Sequence, residues 1–163
     1  MTDHALQAFA GRRGFADAVL ALASLADDAR TPAHWYWVDP DFTDWPLDDP
    51  ALTAALAAWL ARPGRQLTLL ACGYDALARV HPRFVSWRRP RAHLVHGLQV
   101  ALDVSEVPTL FLARAPRLLE LGERGRWRGR WGADARQWRT GRELVGALLQ
   151  QAAPAFAVTT LGI

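Results

Sequence analysis

Apolar residues occupy both parities of the stretch 34–38, where Trp35, Tyr36, Trp37 and Val38 follow one another without a polar break. A strand covered on one face alternates and a strand covered on both does not, so this pattern predicts a strand inside a sheet between helix layers. Asp39-Pro40 ends it, because proline has no N–H for a ladder and fixes its own φ. Asp49-Pro50 predicts a helix start, with Asp as the N-cap and Pro at the first helical position. Over 50–61, Leu52, Leu56, Trp59 and Leu60 recur at i, i+4, i+7 and i+8, one helical stripe. Arg62-Pro63-Gly64 stops that helix. Residues 66–72, with Leu67, Leu69 and Leu70, read as a second central strand parallel to the first, so 34–72 predicts a β-α-β unit with a right-handed crossover.

The same reading extends in both directions. Residues 6–9 read as a short edge strand, and Gly11-Arg12-Arg13-Gly14 as a turn. Phe15, Val19, Leu22 and Ala26 recur at helical spacing and predict a helix over 15–29, with Asp27 and Asp28 placed unfavourably at its C-terminal end. Residues 73–80 and 82–89 read as two short helices split at His81-Pro82. Residues 92–96 predict a strand and 97–107 a loop. The runs 109–113, 117–121 and 125–131, broken at Ala115-Pro116 and Gly122–Gly125, predict a β-meander. The last helix spans 133–152, with Ala135, Trp138, Val145, Leu148, Leu149 and Ala152 inward, and with Gly141 and Gly146 weakening it by about 1 kcal/mol each. The tail 154–163 is apolar enough to dock.

A chain of 163 residues suits one domain. The single cysteine, Cys72, has no partner in the chain and fits a reducing compartment; with no signal core and no spanning segment, the expectation is a cytoplasmic protein. Charge changes the picture more. All nineteen basic residues are Arg and there is no Lys, which excludes any mechanism that needs an ammonium group. Residues 1–60 hold three Arg against nine Asp, a charge of −6; residues 61–163 hold sixteen Arg against seven acids, +9; the two sum to the net +3. Such asymmetry is satisfied inside the fold, across a homodimer, or by an anionic partner.

Two regions hold candidate chemistry. After the first central strand, Asp39-Pro40-Asp41-Phe42-Thr43 fits D-x-D-x-T, the opening of haloacid-dehalogenase-type phosphotransferases, in which the first Asp attacks phosphorus, the second handles the leaving-group proton and Mg²⁺ sits between them. The later parts of that machinery are missing: the next strand ends Ala71-Cys72, Lys does not exist, and no late acidic pair follows. The competing assignment makes these aspartates turn formers and caps. His93 and His96, three apart on a strand, point to opposite faces and share no metal. Cys72 ends a central strand without a recognisable His–Asp set. The second region, Arg126-Trp127-Arg128-Gly129-Arg130-Trp131, presents on a strand an arginine face opposite a tryptophan face; with Arg136, Arg139 and Arg142 it is a candidate phosphate or nucleic-acid surface, against the alternative of a solvated edge strand. A smaller cationic patch surrounds His81-Pro82-Arg83.

The segments WYWVDPDFTDWPLDDPALTAALAAWL, RQLTLLACGYDALARVHPRFVSWRR and GRWRGRW, with the terminal AVTTLGI, resemble an uncharacterised bacterial family with a phospholipase-D-like fold, whose relatives are also found behind N-acetyltransferase domains. The resemblance covers about residues 5–163 and is strongest at 39–50 and 159–162. It implies an α/β class protein: one phospholipase-D-like α/β/α sandwich over 1–163, with a mixed, largely parallel sheet and a C-terminal β-meander plus helix. Active members of the wider fold carry H-x-K-x-x-x-x-D, and this chain, having no Lys, cannot; around 109–113 it reads Thr-Leu-Phe-Leu-Ala-Arg, so no catalytic residue carries over. The expectation is a pseudoenzyme-like binding or assembly module for an anionic small molecule or nucleic acid, without a cofactor. Its ligand would be held by Arg83, Arg128 and Arg130 near His81, with Trp45 on the same ledge. The alternatives are a Mg-dependent phosphatase using Asp39 and Asp41, and a structural homodimer.

Overall fold

The computed structural model describes residues 5–25, 27 and 31–156. In chain order these form β1 (Gln7–Phe9), α1 (Gly11–Ala23), β2 (Ala33–Val38), α2 (Pro50–Leu60), β3 (Arg65–Ala71), α3 (Asp75–Val80), α4 (Pro82–Arg88), β4 (Val95–Gln99), β5 (Leu110–Leu112), β6 (Arg117–Glu123), β7 (Arg128–Ala133), α5 (Ala135–Gln150) and β8 (Ala153–Pro154). One eight-stranded sheet joins them in the order β1-β7-β6-β5-β2-β3-β4-β8.

The β-α-β unit is present. β2 and β3 pair in parallel from Ala33 opposite Arg65 to Val38 opposite Leu70. Between them, Asp49 caps α2 by accepting from the Ala51 N–H at 2.9 Å, with Pro50 behind it in the first turn. The two parities of β2 feed two cores. Trp35 and Trp37 join Leu67, Leu69 and Phe111 under α1, α2, α3 and α4, which contribute Phe15, Leu22, Leu56, Leu77 and Phe84. Tyr36 and Val38 join Leu70, Leu110, Leu112 and Leu118 under Val145 and Leu148 of α5. Helices therefore lie on both faces of a mixed sheet.

The sheet is not largely parallel. Among the described residues only the β2–β3 and β3–β4 pairings are parallel, and the other five are antiparallel. After β4 the chain takes no further crossover helix. It returns along residues 100–109 to lay β5 antiparallel against the other side of β2, and tight connections then force antiparallel neighbours. The meander of β5, β6 and β7 is as expected. β7 is no edge strand, because β1 covers it, with Phe9 opposite Gly129.

Other boundaries differ for local reasons. The Gly11–Gly14 segment is the first turn of α1: Ala10 is extended, and Gly11 at φ 80° swings the chain into the helix within one residue. α1 ends at Ala23, so Asp27 lies beyond it and not at its end. β4 begins three residues later than the pattern 92–96 indicates and runs on to Gln99, inside the predicted loop. In α5, Gly141 is no defect: a Cβ there would lie 3.0 Å from Leu112 Cδ2, so its absence lets the helix sit close on β5. Of the tail predicted to dock, 154–156 are described and 157–163, which hold the 159–162 likeness, lie outside the described residues; Ala26, Asp28 and Ala29 of the predicted first helix lie outside them too.

A short strand missed in the sequence, β8, closes the β4 edge. Phe156, just after it, stacks on Tyr74 with ring centroids 4.8 Å apart, and the Arg88 guanidinium lies 4.2 Å from its ring. Arg88 also donates to the carbonyls of Val95 and Phe156. Only a glycine at 97 leaves room: a Cβ would fall 2.5 Å from Phe156 Cβ and 3.1 Å from its Cδ2. Gly97→Ala is therefore expected to lift the 153–156 segment off the sheet at a cost of about 1–2 kcal/mol. Faster proteolysis at the C-terminal end and a lower thermal midpoint would show it; unchanged values of both would refute the packing argument.

Candidate functional site

Backbone register defines the end of the sheet that matters. Val38, Leu110, Glu120, Arg130 and Ala8 lie opposite one another across five neighbouring strands. The loop after β2, the start of β5, the β6–β7 turn and the start of α1 therefore share one end, where the parallel strands finish. Ligands of open α/β sheets bind at such ends.

The acidic aromatic loop is spent on its own architecture. Asp39 is 3% exposed, and its Oδ2 accepts the N–H groups of Asp41 at 3.1 Å and Phe42 at 2.8 Å. Its Oδ1 accepts the Thr109 hydroxyl and lies 3.7 Å from Arg124 Nη1. Burial holds the Asp39 carboxyl above the usual range, against these hydrogen bonds and the Arg124 charge. Asp41 accepts from the backbone N–H and hydroxyl of Thr43. Asp44 pairs with Arg12 at 3.8 Å, Asp48 accepts from the Phe84 N–H at 2.8 Å and so caps α4, and Asp49 caps α2. The hydrogen bonds thus give these aspartates the turn-forming and capping roles, and both oxygens of Asp39 are taken by donors of the fold.

Of the five residues expected to hold a ligand, the structure brings two together. Arg128 and Arg130 are exposed neighbours on β7. Arg130 and Glu120 lie opposite each other, on the sheet face that α5 covers, and burial raises the Glu120 carboxyl above its usual range despite Arg130. Arg83 belongs to α4, which packs on the opposite face, so it shares no small ligand with them. His81 is 6% exposed, and its Nε2 lies 3.0 Å from the carbonyl of Phe42 and 3.2 Å from that of Thr43. Both are acceptors, which requires the hydrogen on Nε2 and makes His81 a staple between the α3–α4 corner and the loop. Trp45 is 1% exposed among Phe15, Trp37 and Phe42, and offers no surface to a ligand. Arg136 and Arg139, grouped with the β7 arginines by sequence, lie on the first turns of α5, beyond the far end of β7.

What gathers instead is a cationic ledge. Glu123 to Arg126 form an exposed turn, and Trp127 at φ 51° tucks its ring under α1, 5.2 Å from Phe15. Arg12 lies 5.8 Å from the Trp127 ring, which places the start of α1 beside the turn. Arg12, Arg13, Arg124, Arg126, Arg128 and Arg130 thus come from three segments to one end of the sheet. Arg124 is the residue that sequence reading missed. Its Nη2 donates to Thr109 Oγ1 at 2.6 Å, and its side chain remains 45% exposed. Beside β7 and β1 runs an open groove of about 600 Å³, with Glu123, Arg128 and Arg130 on its wall.

The chain is similar in fold to TrmBL2. That archaeal chromatin protein, whose structure is described as showing a novel mode of DNA binding, superposes with a TM-score of 0.65 over 93% of this chain at 12% sequence identity. The chain spans about half of TrmBL2, 54% of its length. At this identity TrmBL2 supports the fold and no residue role. No family model and no curated protein matches the chain. Among the described residues no helix is long and apolar enough to cross a membrane.

Proposed function

We propose that this chain is a binding module on a phospholipase-D-like scaffold, without that family's H-x-K-x-x-x-x-D chemistry, and that it holds nucleic acid on the arginine ledge. The observation that carries the reading is the convergence of six arginines on one sheet end. Among the described residues the acids beside them are four: Asp44 and Glu123 pair at 3.8 and 3.7 Å with arginines that are largely exposed, which screening leaves weak, Asp39 is buried beneath Arg124, and Glu120 lies opposite Arg130 on the α5 face. Arginine forks suit phosphate oxygens, and a row of them suits a polymer of phosphates better than a single small anion. The likeness in fold to TrmBL2, described as binding DNA, is compatible with this reading.

Binding of this kind releases counterions, so affinity falls as salt rises, with a slope set by the number of phosphates contacted. Fluorescence anisotropy with a labelled oligonucleotide across a salt series measures that slope. Replacing Arg126, Arg128 and Arg130 together by Gln is expected to weaken binding and to reduce the slope by about 3, one per lost phosphate contact. No measurable binding at low salt, or a slope that the triple replacement leaves unchanged, refutes the ledge.

A further inference from the structure

We infer that Arg124 is a pre-organised anchor for one internal phosphodiester of the bound strand, distinct from the loosely held arginines around it. This rests on the nucleic-acid reading above and adds a single defined subsite to it.

The inference follows from how the guanidinium is held. Backbone N–H groups of Asp41 and Phe42 fix the Asp39 carboxylate, Asp39 accepts the Thr109 hydroxyl, and Thr109 accepts from Arg124 Nη2. Thr109 uses its one proton toward Asp39 and a lone pair toward Arg124, so each link satisfies the next. Asp39 and Thr109 are 3% and 2% exposed, which makes the brace rigid and dry. The Nη1–Nη2 end of Arg124 is thereby turned inward. The side-on fork of Nε–H and the outer Nη–H meets no acceptor among the described residues, and the side chain is 45% exposed. A guanidinium fixed on one edge and open on the other is already ordered before a ligand arrives, so little entropy is lost on binding.

No such buried brace holds the other ledge arginines among the described residues. There Arg126 meets Glu123, with side chains 67% and 52% exposed, Arg12 meets Asp44 and the Trp127 ring, and Arg130 lies opposite Glu120. They attract phosphate by charge and not by geometry. Two parallel N–H groups match the two non-bridging oxygens of a diester, and the diesters on either side then fall toward Arg126 and Arg128.

Arg124→Lys separates geometry from charge, since lysine keeps the charge and lacks the fork. With oligonucleotides lacking a 5′-phosphate, Arg124→Lys is expected to weaken affinity about tenfold, and Arg126→Lys by less than about twofold. Equal thermal midpoints for both variants show that the fold is intact. Wild type that binds while Arg124→Lys binds equally well overturns the anchor and leaves the ledge standing. Wild type that does not bind overturns the ledge, and the anchor with it. An Arg124→Lys effect seen only with a 5′-phosphorylated strand assigns the subsite to a terminal phosphate and overturns the internal diester.

Discussion

Replacing Asp27 by Ala is expected to cost about 3–5 kcal/mol, the range for removing one partner of a buried ion pair. The carboxylate accepts from Arg114 Nε at 3.0 and 3.1 Å, from Arg65 Nη1 at 3.2 Å and from Trp59 Nε1 at 3.4 Å. Arg65 is 1% exposed at the start of β3, and Arg114 follows β5, so one side chain joins the segment after α1 to two strands and to α2. Burial, with the neighbouring charges of Arg114 and Arg62, pulls the Arg65 pKa down despite Asp27. The carboxylate is therefore what makes a buried guanidinium tolerable. Its own pKa is lowered: burial raises it, and the Arg114 and Trp59 hydrogen bonds with the Arg114 and Arg65 charges outweigh that. The folded pKa lies below the unfolded one, so this stabilisation is present above the ordinary carboxylate pKa and is lost as pH falls from there through the folded value. Urea midpoints at neutral pH measure the loss, and Asp27→Asn should flatten the acid limb of stability against pH. A cost under about 1 kcal/mol would mean that this hub is ornamental.

Asp27 also shows where sequence reading stops. Local chemistry was legible. The Asp49-Pro50 start of α2, the two-faced apolar run of β2 and the stripe of α2 each depend on neighbours within a few positions, and each is present. The same local logic placed Asp27 at a helix end, where it would be unfavourable, because nothing nearby announces Arg65 and Arg114. The candidate site depends on contacts of the same long-range kind. Asp39 reads as a turn former, and it is one, but its bond to Thr109 reaches across 70 residues of sequence, and through Thr109 it meets Arg124. Arg83 and Arg128 share a sign and an arginine-rich half, yet topology sets them on opposite faces. Trp45 sits in a polar stretch and is nevertheless core, because Phe42, at φ 62°, turns the loop back over β2 and carries the indole under the sheet's aromatic cluster. Charge sums survive folding; which charges meet is decided by strand order.

Gly129→Ala is expected to cost about 3 kcal/mol, the upper part of the usual range for forcing atoms into a filled interior, and to weaken nucleic-acid binding with it. Gly129 lies in β7 between Phe9 of β1 and Leu121 of β6. An added Cβ would collide with the Glu120 carbonyl oxygen, and would lie 2.6 Å from Phe9 Cζ and 2.9 Å from Leu121 Cα. Phe9 could rotate away only by leaving Phe15, whose ring centroid is 6.0 Å from its own. The other two obstacles are backbone atoms, which move only if the β6–β7 ladder opens. Opening it displaces Arg128 and Arg130, the residues on either side, and draws the Arg124 turn off Thr109. Gly125 gives the control: a Cβ there meets nothing within 4 Å and its φ is not positive, so Gly125→Ala should stay within about 0.5 kcal/mol of wild type. Thermal midpoints and anisotropy on the two variants separate a packing requirement at 129 from a general intolerance of the hairpin. Equal behaviour of the two alanines would mean that β7 can shift against its neighbours without moving the ledge, and the positional basis for assigning Arg124, Arg128 and Arg130 to one surface would fall.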